Sequence, residues 1–123
     1  MKKKILIIED EKILGEMYRD KFIQAGFNVV WADSAEEGMK ALPKEKPDLV
    51  LLDILLPRAS GVGFMEWLKK QKEVSPAPPV VAFSNYDEPS TKKDAFRLGV
   101  KDYLIKTNYT PQEIVDKIKN YLK

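Results

Sequence analysis

The sequence predicts an α/β domain whose parallel β-sheet is covered by helices on both faces. Short runs rich in Ile, Val and Leu alternate five times with longer segments of helical spacing. The short runs do not alternate apolar with polar residues, which is typical of strands buried on both faces. The 123 residues suit one compact domain with a core of its own.

The predicted strands are the short apolar runs. They lie at Ile5–Ile8, Val29–Trp31, Leu49–Leu52, Val80–Phe83 and Tyr103–Ile105. Because helical segments separate them, these strands are expected to run parallel to one another.

The first two helices carry clear end signals. An apolar stripe runs through the first helix, and Gly26 follows it as a C-terminal stop. Ser34 and Glu37 have the spacing of a capping box that opens the second helix, which is expected to stop near Pro43.

The remaining three helices are marked in the same way. The third is predicted around Phe64 and Leu68, ahead of a proline-rich loop. The fourth begins near Pro89 and stops at Gly99. The fifth opens with the segment Thr110–Glu113, a capping box with proline at the first helical position.

The composition excludes several classes of site. The chain has neither cysteine nor histidine, which removes disulfides, thiolate zinc sites, iron–sulfur clusters, thiol nucleophiles and triads that need an imidazole. The 21 basic and 19 acidic residues give a net charge of +2, too balanced to indicate nucleic-acid binding by itself. Carboxylates, hydroxyls, amines and the backbone remain for chemistry.

The N-terminal segment does not have the pattern of a signal peptide. Its basic residues precede only four apolar ones, and acidic residues follow directly. No stretch approaches the roughly 18 apolar residues of a membrane span. We therefore expect a cytoplasmic protein that does not contact a membrane.

Chemically useful side chains follow the predicted strands. Glu9 and Asp10 follow the first strand, Asp53 the third, Ser84 the fourth and Lys106 the fifth. In doubly wound sheets the site lies beyond the carboxyl ends of the strands. If the first and third strands are neighbours, the three acids converge.

Three converging carboxylates need a positive partner. At about 4 Å and an effective dielectric constant near 20, each like-charged pair costs about 4 kcal/mol. A hard divalent cation such as Mg²⁺ offsets this repulsion through oxygen ligands. With the Lys106 ammonium and the Ser84 hydroxyl added, the set suits phosphoryl transfer.

The whole chain resembles a receiver domain of two-component response regulators, of the chemotaxis-regulator-like type. The resemblance rests on four motifs that occur in order at strand ends: Ile5–Asp10, Asp53–Pro57 with Gly61, Val80–Ser84 and Gly99–Lys106. It implies one receiver domain over residues 1–123. It also implies a flavodoxin-like, doubly wound (βα)5 three-layer sandwich with sheet order 2-1-3-4-5.

The resemblance implies a phosphoacceptor that works with Mg²⁺. Asp53 would take a phosphoryl group from the phosphohistidine of a sensor histidine kinase or phosphotransfer protein. Asp10 would bind Mg²⁺ directly together with Asp53, Glu9 would hold it through water, and the backbone carbonyl of Leu55 would complete the protein ligands. The protein would not be an enzyme beyond its own phosphorylation and autodephosphorylation.

The resemblance also implies a conformational switch. Lys106 would pair with the phosphoryl oxygens, Ser84 would bind them and draw in its loop, and Tyr103 would turn inward. The face made by the fourth helix, fifth strand and fifth helix would change as a result. That face would act on an output protein, on an effector domain outside the chain, or in a homodimer formed on phosphorylation, without direct contact to nucleic acid.

The chain departs from the family pattern at several positions. Thr107 stands where the family usually has proline, so we expect either a trans Lys106–Thr107 bond with a rearranged loop or a strained cis bond, which costs about 2.5–4 kcal/mol. Leu55, Asn85 and Tyr86 are hypothesised to limit access to the site and to slow hydrolysis of the acyl phosphate.

Three other functions remain open at the level of the sequence. A pseudo-receiver would keep the fold and act only as an interaction module. A haloacid-dehalogenase-like phosphatase also uses an aspartate nucleophile with Mg²⁺, but it would need a second Asp where Leu55 stands. A flavodoxin-like electron carrier would need a hydroxyl-rich phosphate loop where the chain has the acidic segment Glu9–Glu11.

Overall fold

Five parallel strands form one sheet in the part of the chain that the computed structural model describes, residues 2–54, 61–71, 76–85, 87 and 89–122. The strand order is β2-β1-β3-β4-β5, which confirms the predicted flavodoxin-like order. The strands are β1 at Lys4–Ile8, β2 at Asn28–Ala32, β3 at Leu49–Asp53, β4 at Val80–Ser84 and β5 at Asp102–Ile105. The predictions made for Leu55 and Tyr86 lie outside the described residues.

The helices alternate with the strands along the chain. They are α1 at Lys12–Gln24, α2 at Ala35–Glu45, α3 at Gly61–Lys69, α4 at Pro89–Arg97 and α5 at Pro111–Tyr121, with a short 3₁₀ helix at Lys106–Asn108. None of these described helices is long and apolar enough to cross a membrane.

Side chains that alternate along the strands build a core on each face of the sheet. Ile5 and Ile7 of β1 belong to the cluster that packs against α1 and α5. Leu6 and Ile8 belong to the cluster that packs against α2, α3 and α4. The predicted three-layer sandwich is therefore confirmed.

The prediction that every strand is buried on both faces is wrong for β2. Residues Val29–Trp31 are only half-buried, and Asn28 is exposed. β2 is an edge strand that pairs with β1 alone. Since no strand lies on its outer side, the covering helices leave that flank open to water.

The predicted end of α2 near Pro43 is confirmed, since the helix ends two residues later, at Glu45. The Lys46 N–H donates to the Leu42 carbonyl at 3.0 Å. Pro43 lies within the last turn, where its missing N–H removes one helical hydrogen bond. The fully buried Leu42 anchors this turn to the core.

The other helix ends follow the sequence signals closely. Gly26 and Gly99 adopt positive φ angles of 97° and 106° just beyond α1 and α4, as C-terminal stops do. The fifth helix has the complete capping box, in which Thr110 and Glu113 exchange both bonds. At the start of α2, the Ser34 hydroxyl accepts a hydrogen bond from the Glu37 backbone N–H at 3.1 Å.

Candidate functional site

Three carboxylates meet at the carboxyl edge of the sheet. Glu9 follows β1 and Asp53 ends the neighbouring strand β3. Among the described residues, the carboxylate oxygens of Glu9, Asp10 and Asp53 lie within 4.8 Å of one another. Glu9 and Asp53 are buried, whereas Asp10 is exposed. The predicted convergence of the three acids is confirmed, and the cluster has a buried floor with one acid at its solvent side.

Lys106 brings a positive charge to the floor of this cluster. Its Nζ donates to Oε2 of Glu9 at 2.8 Å and to Oδ2 of Asp53 at 3.2 Å. The same atom lies 4.5 Å from the centre of the Phe83 ring, at a distance suited to a cation–π contact. Lys106 opens the 3₁₀ helix after β5, and the exposed Thr107 lies within that helix.

Burial and charge shift the pKa values of the two closest partners. Burial raises the pKa of Glu9 to about 7; the charge of Asp53 adds to this rise, and the hydrogen bond from Lys106 opposes it. Burial alone would lower the pKa of Lys106, but the carboxylates of Asp53 and Glu9 outweigh burial and raise that pKa. The lysine therefore stays charged at neutral pH.

The remaining predicted residues line the same edge or lie just beneath it. Ser84 ends β4, is fully buried, and pairs in register with the residue before Lys106. Asn85 follows Ser84 directly and is exposed. Tyr103 is buried, with only 6% of its surface exposed, and Lys92 lies 5.7 Å from its ring centre.

Two aromatic contacts at the site were not predicted from the sequence. The Phe83 ring under Lys106 was interpreted only as part of a buried strand. The indole N–H of Trp31 donates to the backbone carbonyl of Glu9 at 2.8 Å. Gly15, which lies against Trp31 near the start of α1, is a usable signal, because an isolated helical glycine often marks close packing.

The donor set fits a hard divalent cation. All three acids offer carboxylate oxygens, the ligand type that Mg²⁺ prefers, and the exposed Asp10 leaves room for water. Lys106 balances part of the negative charge of Glu9 and Asp53. A cation bound by these acids would compete with Lys106 for Glu9.

Comparison with known proteins identifies the family. The family model for the response regulator receiver domain matches residues 5–119. The chain belongs to the response regulator receiver domain family. Among curated relatives, the alkaline phosphatase synthesis transcriptional regulatory protein PhoP of Bacillus subtilis is 32% identical to this receiver domain. The match covers the whole of this chain and 50% of the relative. The receiver domain is also 32% identical to the phosphate regulon transcriptional regulatory protein PhoB of Escherichia coli, of which it covers 53%.

Solved structures show the same fold. The receiver domain matches a CheY-like receiver domain protein from Methanospirillum hungatei with a TM-score of 0.90 and 25% identity, covering 99% of this chain and 94% of the other. A receiver domain protein from Clostridium thermocellum matches with a TM-score of 0.83 and 26% identity, covering 96% and 92%. The chain spans about half the length of the curated relatives it matches.

Proposed function

We propose that this receiver domain accepts a phosphoryl group on Asp53 from the phosphohistidine of a sensor kinase or phosphotransfer protein in the cytoplasm. One observation carries the proposal: Asp53 lies within 4.8 Å of two further acids and 3.2 Å from the Lys106 ammonium. The carboxylate is thus flanked both by ligands for a cation and by a positive charge. Membership of the receiver family supports the same reaction.

The transfer is a displacement at phosphorus. A carboxylate oxygen of Asp53 forms a bond to phosphorus while the phosphorus–nitrogen bond of the donor breaks, and the imidazole leaves with the electron pair. Asp10, Asp53, Glu9 through water and the backbone carbonyl of Leu55 would hold Mg²⁺. When bound there, Mg²⁺ would supply positive charge against the phosphoryl oxygens.

Lys106 and Ser84 act on the phosphoryl group itself. The Lys106 ammonium already contacts Asp53, so a small movement away from Glu9 brings it to the phosphoryl oxygens. Its raised pKa keeps the charge that this contact needs. The buried Ser84 hydroxyl lies at the end of the next strand and binds the same oxygens.

The face formed by α4, β5 and α5 transmits the signal to a partner. The phosphoryl group draws Ser84 and its loop toward Asp53 and favours the inward position of Tyr103. The changed face then docks an output protein, an effector domain or a second copy of the domain. By the same resemblance, Leu55, Asn85 and Tyr86 would restrict the entry of water and lengthen the life of the acyl phosphate.

The deciding experiment is mass spectrometry after incubation with acetyl phosphate and Mg²⁺. Wild type is expected to gain one phosphoryl group, and Asp53→Asn none. Asp33→Asn is a matched control, because Asp33 is an exposed acid that follows β2 at the same edge of the sheet. It is expected to label like wild type. Labelling of Asp53→Asn would contradict the proposal, and absence of label on wild type would favour an interaction module.

A further inference from the structure

Trp31 is attached to the backbone of the loop that carries the acids. It stands opposite Ile7 in the β1–β2 register, and its indole N–H donates to the carbonyl of Glu9 at 2.8 Å. The Glu9 N–H donates to the Ala32 carbonyl at 3.0 Å. Both backbone groups of Glu9 are therefore held by the end of β2, directly before Asp10.

The indole reaches this carbonyl only because α1 has no side chain at residue 15. A Cβ on Gly15 would lie 2.2 Å from Cε2 and 2.5 Å from Nε1 of Trp31. Glycine is a weaker helix former than alanine, and packing against the indole accounts for its presence near the start of α1. One turn later, the Arg19 guanidinium lies 5.9 Å from the ring centre of Trp31.

The carboxylate of Glu9 is fixed from the other side. Its Oε2 accepts from Lys106, and its Oε1 accepts from the Glu11 N–H at 3.3 Å. Rotation of the peptide after Glu9 would move Asp10 and would strain these two bonds. The Trp31 hydrogen bond opposes that rotation.

We propose that Trp31, seated on Gly15, is a positioning residue that holds the turn at Glu9 and Asp10 in the geometry that binds a divalent cation. The inference rests on the proposed function, in which these two acids hold Mg²⁺. Neither Trp31 nor Gly15 contacts the cation. They act by ordering the backbone before it binds, which reduces the cost of organising the ligands.

The test compares Trp31→Phe with Trp67→Phe. The first removes the N–H and keeps an aromatic ring, and the second alters a half-buried tryptophan of α3 on the opposite face of the sheet. In titrations with magnesium chloride, Trp31→Phe is expected to bind about three- to tenfold more weakly than wild type, and Trp67→Phe within twofold. At saturating Mg²⁺, Trp31→Phe should accept phosphate from acetyl phosphate within about twofold of the wild-type rate.

Hydrogen exchange in the metal-free protein separates this inference from the proposed function. The Glu11 amide should exchange faster in Trp31→Phe and at the wild-type rate in Trp67→Phe. Unchanged exchange and unchanged Mg²⁺ affinity in Trp31→Phe would overturn the positioning role. If wild type itself fails to bind Mg²⁺, the proposed function falls, and the exchange comparison still decides whether Trp31 orders the turn.

A second pair of variants covers the case in which Trp31→Phe folds poorly. Gly15→Ala should push the indole away from Glu9 and weaken Mg²⁺ binding as Trp31→Phe does. In a Trp31→Leu background, adding Gly15→Ala should weaken Mg²⁺ binding no further, because the indole is already gone. Additive losses in Mg²⁺ affinity would show that the two residues act separately and would overturn the proposal.

Discussion

The ammonium of Lys106 donates a hydrogen bond of 2.8 Å to Oε2 of Glu9, at a site where both side chains are buried. The same ammonium lies 3.2 Å from Asp53. The lysine thus offsets negative charge on the acid that is proposed to hold Mg²⁺. A cation bound at Glu9 would weaken this contact and would leave the lysine available to the phosphoryl group.

Mg²⁺ affinity is expected to rise with pH around neutrality. Burial raises the pKa of Glu9 to about 7, so this carboxyl is mostly protonated at pH 6 and mostly ionised at pH 8. A protonated carboxyl does not hold the cation, so the affinity should increase about tenfold between about pH 6 and pH 8. Calorimetric titration with magnesium chloride measures this change.

The control for this pH dependence is Glu9→Gln. The variant should bind Mg²⁺ more weakly than wild type, with an affinity that changes little over the same pH range. A wild-type affinity that is flat with pH would contradict the assignment of Glu9 to the cation.

Removal of the lysine charge should destabilise the metal-free protein. Lys106→Met removes the positive partner that Glu9 and Asp53 share, so the pKa of Glu9 rises further and the buried Asp53 loses its ion pair. The expected loss in free energy of unfolding is about 3 kcal/mol, measured by denaturation in the presence of a chelator. Added Mg²⁺ should recover part of the loss and should stabilise this variant more than it stabilises wild type. Lys101→Met, which alters an exposed lysine, should remain near wild type, and equal losses in both variants would contradict the role of the ion pair.

The fold could be predicted because its signals are local. Buried strands appear as apolar runs in the sequence. Capping residues such as Thr110 mark helix ends independently of how the rest of the chain packs. One detail failed because it depends on what packs nearby. The exposure of β2 follows from its place at the sheet edge.

The acid cluster was predictable for a different reason. Parallel strands end at the same edge, so Glu9 and Asp53 converge once the strand order is known. The contacts of Trp31 and Phe83 were not predictable in this way. They depend on how far a ring reaches across neighbouring elements, and neither strand position nor residue type encodes that distance.

Gly61 is expected to be intolerant of a side chain. A Cβ there would lie 2.5 Å from Cα of Ile54 and 2.9 Å from the backbone oxygen of Asp53. Because these neighbours are backbone atoms, the end of β3 must shift. Gly61→Ala should lower the free energy of unfolding by about 1–3 kcal/mol and should slow phosphorylation by acetyl phosphate.

The control for Gly61 is Gly26→Ala. Gly26 has a φ of 97° and open space around its Cβ position, so alanine there strains the backbone far from the site. This variant should lose comparable stability, about 1 kcal/mol, and keep its phosphorylation rate. An equal reduction of the rate in both variants would mean that general destabilisation, rather than displacement of Asp53, slows the reaction.

Lys92 is expected to stabilise the inward position of Tyr103. Its Nζ lies 5.7 Å from the ring centre and 3.2 Å from Oδ1 of Asp87, so it connects the loop after β4 to the tyrosine. The lysine is partly exposed, which limits the interaction to about 0.5 kcal/mol. A double-mutant cycle of Lys92→Met with Tyr103→Leu, followed by chemical denaturation, should return a coupling of that size. The control is Lys93→Met, which alters an exposed neighbour on α4 and should show no coupling to Tyr103→Leu. A coupling of zero between Lys92→Met and Tyr103→Leu would mean that Lys92 does not stabilise Tyr103.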